Sequence, residues 1–231
     1  MTVGDGDIRF TVQAWDSIAE WRSAVETMPF IQALADGSLP TDAFAFYLAQ
    51  DVAYLREFSR VLSMASAMAP HQTAQRFFAS SAHVALEVEL GVHREWLAAH
   101  TAETAEVGPS PVTCAYNNHL LAACVGGNYP VVTAAVLPCY WLYAHIAEAV
   151  VRAAGPLDAH PYGRWIGTYS DAAFQESART AGELTDEAAA SADSSTRRLM
   201  LDAFVRSSMH EYLFFDQGLT RPRWPTPPRL P

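Results

Sequence analysis

Apolar residues recur at three- and four-residue spacing along nearly all 231 positions, and alternating β-branched runs bounded by turns are almost absent. A chain patterned this way buries its apolar faces helix against helix, so the expected fold is an all-α multi-helix bundle. Half of the residues are hydrophobic, enough for one sizeable core, and no Pro-, Gly- or Ser-rich linker divides the chain.

Breakers and caps divide the pattern. A first helix is expected from Trp15 to Thr27, then a short one opened by Pro29 and reaching Leu34, with Asp36-Gly37 breaking it. Thr41 or Asp42 caps a long helix to Met68, stopped by Pro70, and a second long helix runs from His71 to Ala99. Thr101 to Pro111 reads as a loop. Pro111 to Val125 and Tyr129 to Ala154 follow as helices, the second with a kink expected at Pro138. Shorter helices are expected over Pro161–Thr168 and from the Ser170-Asp171 cap to Ala181, and a last one over Ala192–Leu219. Residues 1–14 are expected to be flexible and 15–219 to form one domain. Residues 220–231 carry five prolines and are expected to be extended.

Composition removes several chemistries. All 15 basic residues are arginine, so no lysine exists for a Schiff base or a P-loop. Net charge is −10 and the isoelectric point about 5.2, which repels a phosphate backbone and argues against a nucleic-acid partner. Cys114, Cys124 and Cys139 form no CxxC pair, and the start of the chain, with Asp5, Asp7 and Arg9, lacks the apolar segment of a secretory signal. The expectation is a cytoplasmic protein with reduced thiols. The apolar run from Val131 to Tyr143 reads as too short to span a bilayer, so no membrane association is expected.

Three residues interrupt apolar surroundings. Phe44, Tyr47, Leu48, Asp51, Leu55, Phe58 and Leu62 share one helical face, and Asp51 is its one polar member. A carboxylate there costs several kcal/mol unless partnered, so it pairs either with another helix or with a ligand. Glu211 likewise interrupts the face of Phe204, Ser208, Phe214 and Phe215, where desolvation raises a carboxyl pKa towards the range of a general acid. A buried ion pair is the competing reading. Cys139 lies in Leu137-Pro138-Cys139-Tyr140-Trp141-Leu142-Tyr143, with Tyr143 one turn further on the same face. A lone helical cysteine is most often packing, so its company decides.

A metal site is the alternative from another chemistry. His83, Glu87, Glu89 and His93 lie on one long helix, and His210 adjoins Glu211. The spacing is His-x-x-x-Glu, unlike the Glu-x-x-His of di-iron bundles, and no second helix offers a match, so a solvated face is the expectation and no metal is assigned.

Five segments together resemble the thiaminase II (TenA) family: Pro29-Phe30-Ile31-Gln32, Asp36-Gly37-Ser38-Leu39-Pro40, Phe46-Tyr47-Leu48-Ala49-Gln50-Asp51 with Tyr54-Leu55, the Leu137–Tyr143 run, and Trp165-Ile166-Gly167-Thr168-Tyr169. The resemblance implies a haem-oxygenase-like bundle without haem or other cofactor, a homotetramer, and hydrolysis of aminopyrimidines in thiamin salvage. It further implies that Asp51 binds the pyrimidine edge, that Cys139 adds to the ring, and that Glu211 donates and accepts the proton. Tyr54 and Tyr116 would form an aromatic wall with a hydroxyl near Cys139, Tyr143 and Tyr169 would bond substrate and glutamate, and Phe214 would stack on the ring. One departure stands out. Where the family commonly reads Leu-Glu-x-x-Phe-Trp, this chain has His210-Glu211-Tyr212-Leu213-Phe214-Phe215. A haem-oxygenase-like metal-dependent oxidase built on His83, Glu87 and His93, with His210 as a further candidate ligand, and a non-catalytic thiamin or pyrimidine binder, are the competing functions.

Overall fold

Caps and breakers set the helix boundaries in the computed structural model, which describes residues 9–100 and 108–225. α1 (Phe10–Ser17) and α2 (Ala19–Thr27) meet at Ile18, whose φ of −107° and ψ of 18° leave helical geometry. α3 (Pro29–Asp36) opens on proline and stops at Gly37, left-handed at φ 78°. α4 (Thr41–Met68) starts behind Pro40 with no side-chain cap, so Thr41 and Asp42 are its first helical residues and not the expected cap; α5 (Gln72–Val84) passes through a π-helical turn (Ala85–Glu89) into α6 (Leu90–His100). Among the described residues, side-chain caps start every later α-helix except the one that begins at Gly163. Ser110 accepts from the Thr113 amide for α7 (Pro111–Val125), and Asn128 accepts from Val131 for α8 (Tyr129–Ala154). After a 3₁₀ turn comes α9 (Gly163–Ser170), then α10 (Ala172–Ala190) capped by Asp171 and α11 (Ser194–Thr220) capped by Asp193. Among the described residues there is no strand, and the all-α expectation holds.

Three elements differ most from the sequence reading. The first helix is two, and it begins at Phe10 instead of Trp15: Phe10 and Ala14 are buried, and Thr11 donates from its amide and hydroxyl to Asp186 at 2.9 and 2.8 Å. α10 continues past Ala181 to Ala190 because Gly182 lets it close on α8. A Cβ there would sit 2.6 Å from Cζ2 of Trp141, whose Nε1 donates to Ala178 O at 2.8 Å. The second long helix is interrupted by the π turn. Phe78, Ala82 and Ala85 are buried up to that turn, and Leu90 and His93 beyond it. α8 keeps its expected limits, with Pro138 inside it. Residues 1–8, most of the expected Thr101–Pro111 loop and residues 226–231 lie outside the described residues, as does the Glu89 side chain.

α8 is the central helix and packs chiefly on α11 and α10. By length and composition alone it is apolar enough to cross a membrane, which corrects the shorter estimate from Val131 to Tyr143, yet 67% of that window is buried inside the bundle. α4 packs on α5 and α7. A buried polar knot ties α4, α7 and α11 at one end. Gln50 Oε1 accepts from the Ser110 amide and the Thr113 hydroxyl, both at 2.8 Å, and Ser110 Oγ donates to Gln217 Oε1 at 2.6 Å. In a low-dielectric interior a satisfied network of this kind permits essentially one register. Those three helices carry Asp51 and Tyr54, Tyr116, and Glu211 respectively. The first tail residues lie against the bundle, with Arg221 paired to Asp42 at 2.8 Å and Trp224 Nε1 donating to Pro109 O at 3.0 Å.

Candidate active site

A cavity of about 110 Å³ opens between α4, α5, α8 and α10. Asp51 and Tyr54 enter it from α4, Cys139 and Tyr143 from α8, and Tyr169 from α9. The α4 face that read as aromatic with one carboxylate is this wall. Five of the eight expected site residues therefore share one space. The outer part comes from positions that sequence reasoning passed over: Phe77, Ser80, Ser81 and Val84 on α5, and Phe174 and Ser177 on α10. Cys139 is half-buried and outside any disulfide.

Tyr116, Phe214 and Glu211 stand one layer behind the lining. Tyr116 and Phe214 are fully buried and Glu211 is 1% exposed. The Tyr116 ring lies 4.9 Å from that of Tyr54, and its hydroxyl donates to Glu211 Oε1 at 2.6 Å. Phe214 packs against Tyr54 at 5.3 Å and edge-on to Tyr47 at 5.7 Å. Its position supports the wall from behind.

Electrostatics follow from burial. Desolvation pushes the Glu211 carboxyl up to about 8, against the opposing pull of the Tyr116 hydrogen bond, so it carries its proton at neutral pH. Tyr54 is held well above the ordinary phenol range by burial first, then by Cys139 and Tyr116. Tyr116 is raised by burial and by Glu211. Sulfur, two phenols and a carboxyl thus form a file running from the cavity into the core. Tyr143 shares a 2.7 Å hydrogen bond with Tyr47, and its phenol is raised by burial, then by Tyr47 and Asp51. Tyr47 had counted only as one member of the apolar stripe; its fully buried hydroxyl was the unread signal.

The expected solvated face on α5 and α6 divides at the π turn. His83 and Glu87 are exposed, but His93 is turned inward, 1% exposed and 3.6 Å from Asp51 Oδ2 through Nε2. Among the described residues no group of three or more His, Cys, Asp and Glu side chains converges on a metal-sized point. His210, the departure beside Glu211, stacks on the Tyr116 ring at 5.2 Å and 12°, with the His119 ring 5.3 Å away.

Known proteins share this architecture. The aminopyrimidine aminohydrolase of Bacillus subtilis is 33% identical over 221 residues, 94% of this chain and 92% of that protein. The thiamine biosynthesis multifunctional protein ThiED of Corynebacterium efficiens is 38% identical over 215 residues, 93% of this chain; the chain spans only 29% of that larger relative. Among solved structures, a TenA homologue from P. horikoshii OT3 superposes with a TM-score of 0.82 at 23% identity, covering 92% of this chain and 99% of the other. A domain with a heme oxygenase-like fold from Shewanella denitrificans superposes at 0.72 and 17% identity, over 93% and 94%. These two likenesses assign the heme oxygenase-like fold. The model of the TENA/THI-4/PQQC family matches residues 15–221, the whole helical bundle but for the start of α1, and the chain belongs to that family.

Proposed function

We propose that this protein is a cofactor-free hydrolase of aminopyrimidines in thiamin salvage, with Cys139 as nucleophile and Glu211 as proton donor and acceptor. The observation that carries the reading is a cysteine and a carboxylate facing one aromatic-walled cavity, with a proton-bearing glutamate two phenols behind the sulfur. Relatives named aminopyrimidine aminohydrolase in Bacillus subtilis and Halalkalibacterium halodurans, matched over 94% and 85% of this chain, support the substrate class.

An aminopyrimidine is a flat ring with a donor–acceptor edge. Asp51 accepts from that edge while Tyr143 and Tyr169 close on the ring from α8 and α9. The Cys139 sulfur bonds to a ring carbon, aromaticity is lost, and a ring nitrogen takes up a proton. The electron pair then expels the amine from the exocyclic methylene, and Glu211 supplies the proton that makes it ammonia. Water adds to the methylene and returns a proton to Glu211. The ring nitrogen gives back its proton, the carbon–sulfur bond breaks, and aromaticity is restored. The net change replaces an amine by a hydroxyl, with one water consumed and one ammonia released. Tyr54 and Tyr116 connect sulfur to carboxyl throughout, and Phe214 keeps their rings in place.

Assembly as a homotetramer and a cytoplasmic location belong to the same reading, resting on the family resemblance and on the acidic, thiol-bearing composition. Side-by-side incubation with 4-amino-5-aminomethyl-2-methylpyrimidine and with thiamin, followed by chromatography, tests the function. Hydroxymethylpyrimidine from either one supports it, and binding without turnover of both favours a non-catalytic binder.

A further inference from the structure

His93 is a buried titratable group that the chemistry above does not use. It stands on α6, 1% exposed, with Nε2 3.6 Å from Oδ2 of Asp51, itself 2% exposed on α4. Asp51 lines the cavity and His93 does not. Burying an imidazole costs more than burying the apolar side chain that would fill the same space, so its presence needs a reason. Burial pushes it down to about 3, so the ring is neutral at working pH and has one N–H to give. Nδ1 has no partner. An unpartnered ring lone pair costs less than an unpartnered N–H, which places the proton on Nε2, facing the carboxylate. The π turn (Ala85–Glu89) directly precedes the helix that holds His93 inward. Such turns recur at functional sites.

We propose that His93 is a positioning residue for Asp51: its Nε2–H directs Oδ2 and fixes the rotamer in which the carboxylate meets the substrate edge. The inference rests on Asp51 as the pyrimidine-binding residue. At 3.6 Å the contact is longer than a hydrogen bond, and it closes to one as substrate engages Asp51.

The test uses His93→Leu and His93→Gln, each with and without Asp51→Ala. His93→Leu is expected to raise KM for the aminomethylpyrimidine by about tenfold or more while kcat changes by less than about threefold, the signature of a lost binding geometry. His93→Gln, which keeps a donor, restores most of the loss. In the Asp51→Ala background the His93 substitutions have little further effect, because the group they act through is gone. An unchanged KM in folded His93→Leu, or an equal loss with and without Asp51, overturns the proposal. If His93→Leu does not fold, His93→Gln is compared with the shorter His93→Asn; tighter substrate binding by the glutamine variant supports the role, and equal binding overturns it. Failure of the functional reading shows separately, as wild-type protein that turns over no aminopyrimidine. In that event the same double-mutant cycle is read in thermal unfolding, where a zero coupling between His93 and Asp51 overturns the contact itself.

Discussion

The Tyr116 hydroxyl donates to Glu211 Oε1 across 2.6 Å, linking α7 to α11 directly behind Tyr54. A hydrogen bond to a carboxyl oxygen favours its ionised form, so this bond lowers a carboxyl that burial has pushed up to about 8. Tyr116→Phe therefore raises the Glu211 pKa further. The alkaline limb of kcat/KM, where the donor loses its proton, is expected to move to higher pH, and kcat to fall by roughly tenfold or more. A pH–rate profile whose limb does not move places the proton on another group.

The same carboxyl makes a stability prediction. The unfolded chain gives up the Glu211 proton near the ordinary value of 4.5, while the folded protein keeps it to about 8. Between those limits the folded state binds more protons, so stability falls as pH rises across the interval and levels off above it. Glu211→Gln removes that slope. At pH 8 the variant is expected to be more stable than wild type by a few kcal/mol, while losing activity. Denaturant unfolding at pH 5 and pH 8 checks this, and parallel curves for the two proteins contradict it.

Asp51→Asn tests the substrate edge. The amide keeps the shape but turns one acceptor into a donor, so one polar group in the bound complex is left unpaired, a cost of about 1–3 kcal/mol in affinity. Ligand titration of the purified variant measures it. Normal affinity makes Asp51 a structural residue.

Gly182→Ala tests how α10 closes on the cavity. The new methyl would lie 2.6 Å from Trp141, forcing α10 away from the helix that bears Cys139. Overpacking of this kind costs about 1–3 kcal/mol, and in a chain of this size each kcal/mol lowers Tm by about 2–4 °C. A thermal melt at the wild-type Tm shows that the groove has room to spare.

Much of this arrangement was legible beforehand. The limits of α4, α7 and α8 coincide with proline, capping and glycine signals that act locally, and Asp51, Glu211 and Cys139 stood out because each interrupts an apolar face. What escaped depends on partners distant in sequence. The π turn (Ala85–Glu89) carries no proline or glycine to mark it, so His93 read as part of an exposed face. α10 passes Gly182 because Trp141, on another helix, occupies the space of the absent Cβ. Gln50, Ser110, Thr113 and Gln217 meet only when three helices bring them together. Ser81 and Ser177 line the cavity only once α5 and α10 stand on either side of it.

The thiol is the group on which the account depends. Wild-type protein and Cys139→Ser, given the same aminomethylpyrimidine, are compared for hydroxymethylpyrimidine formed and ammonia released, with binding measured in parallel. Wild type is expected to form both products in equal amounts. The serine variant is expected to bind normally and turn over at least about a thousandfold more slowly, since a hydroxyl is far less ionised than a thiol at neutral pH. Equal rates for the two proteins would contradict the account.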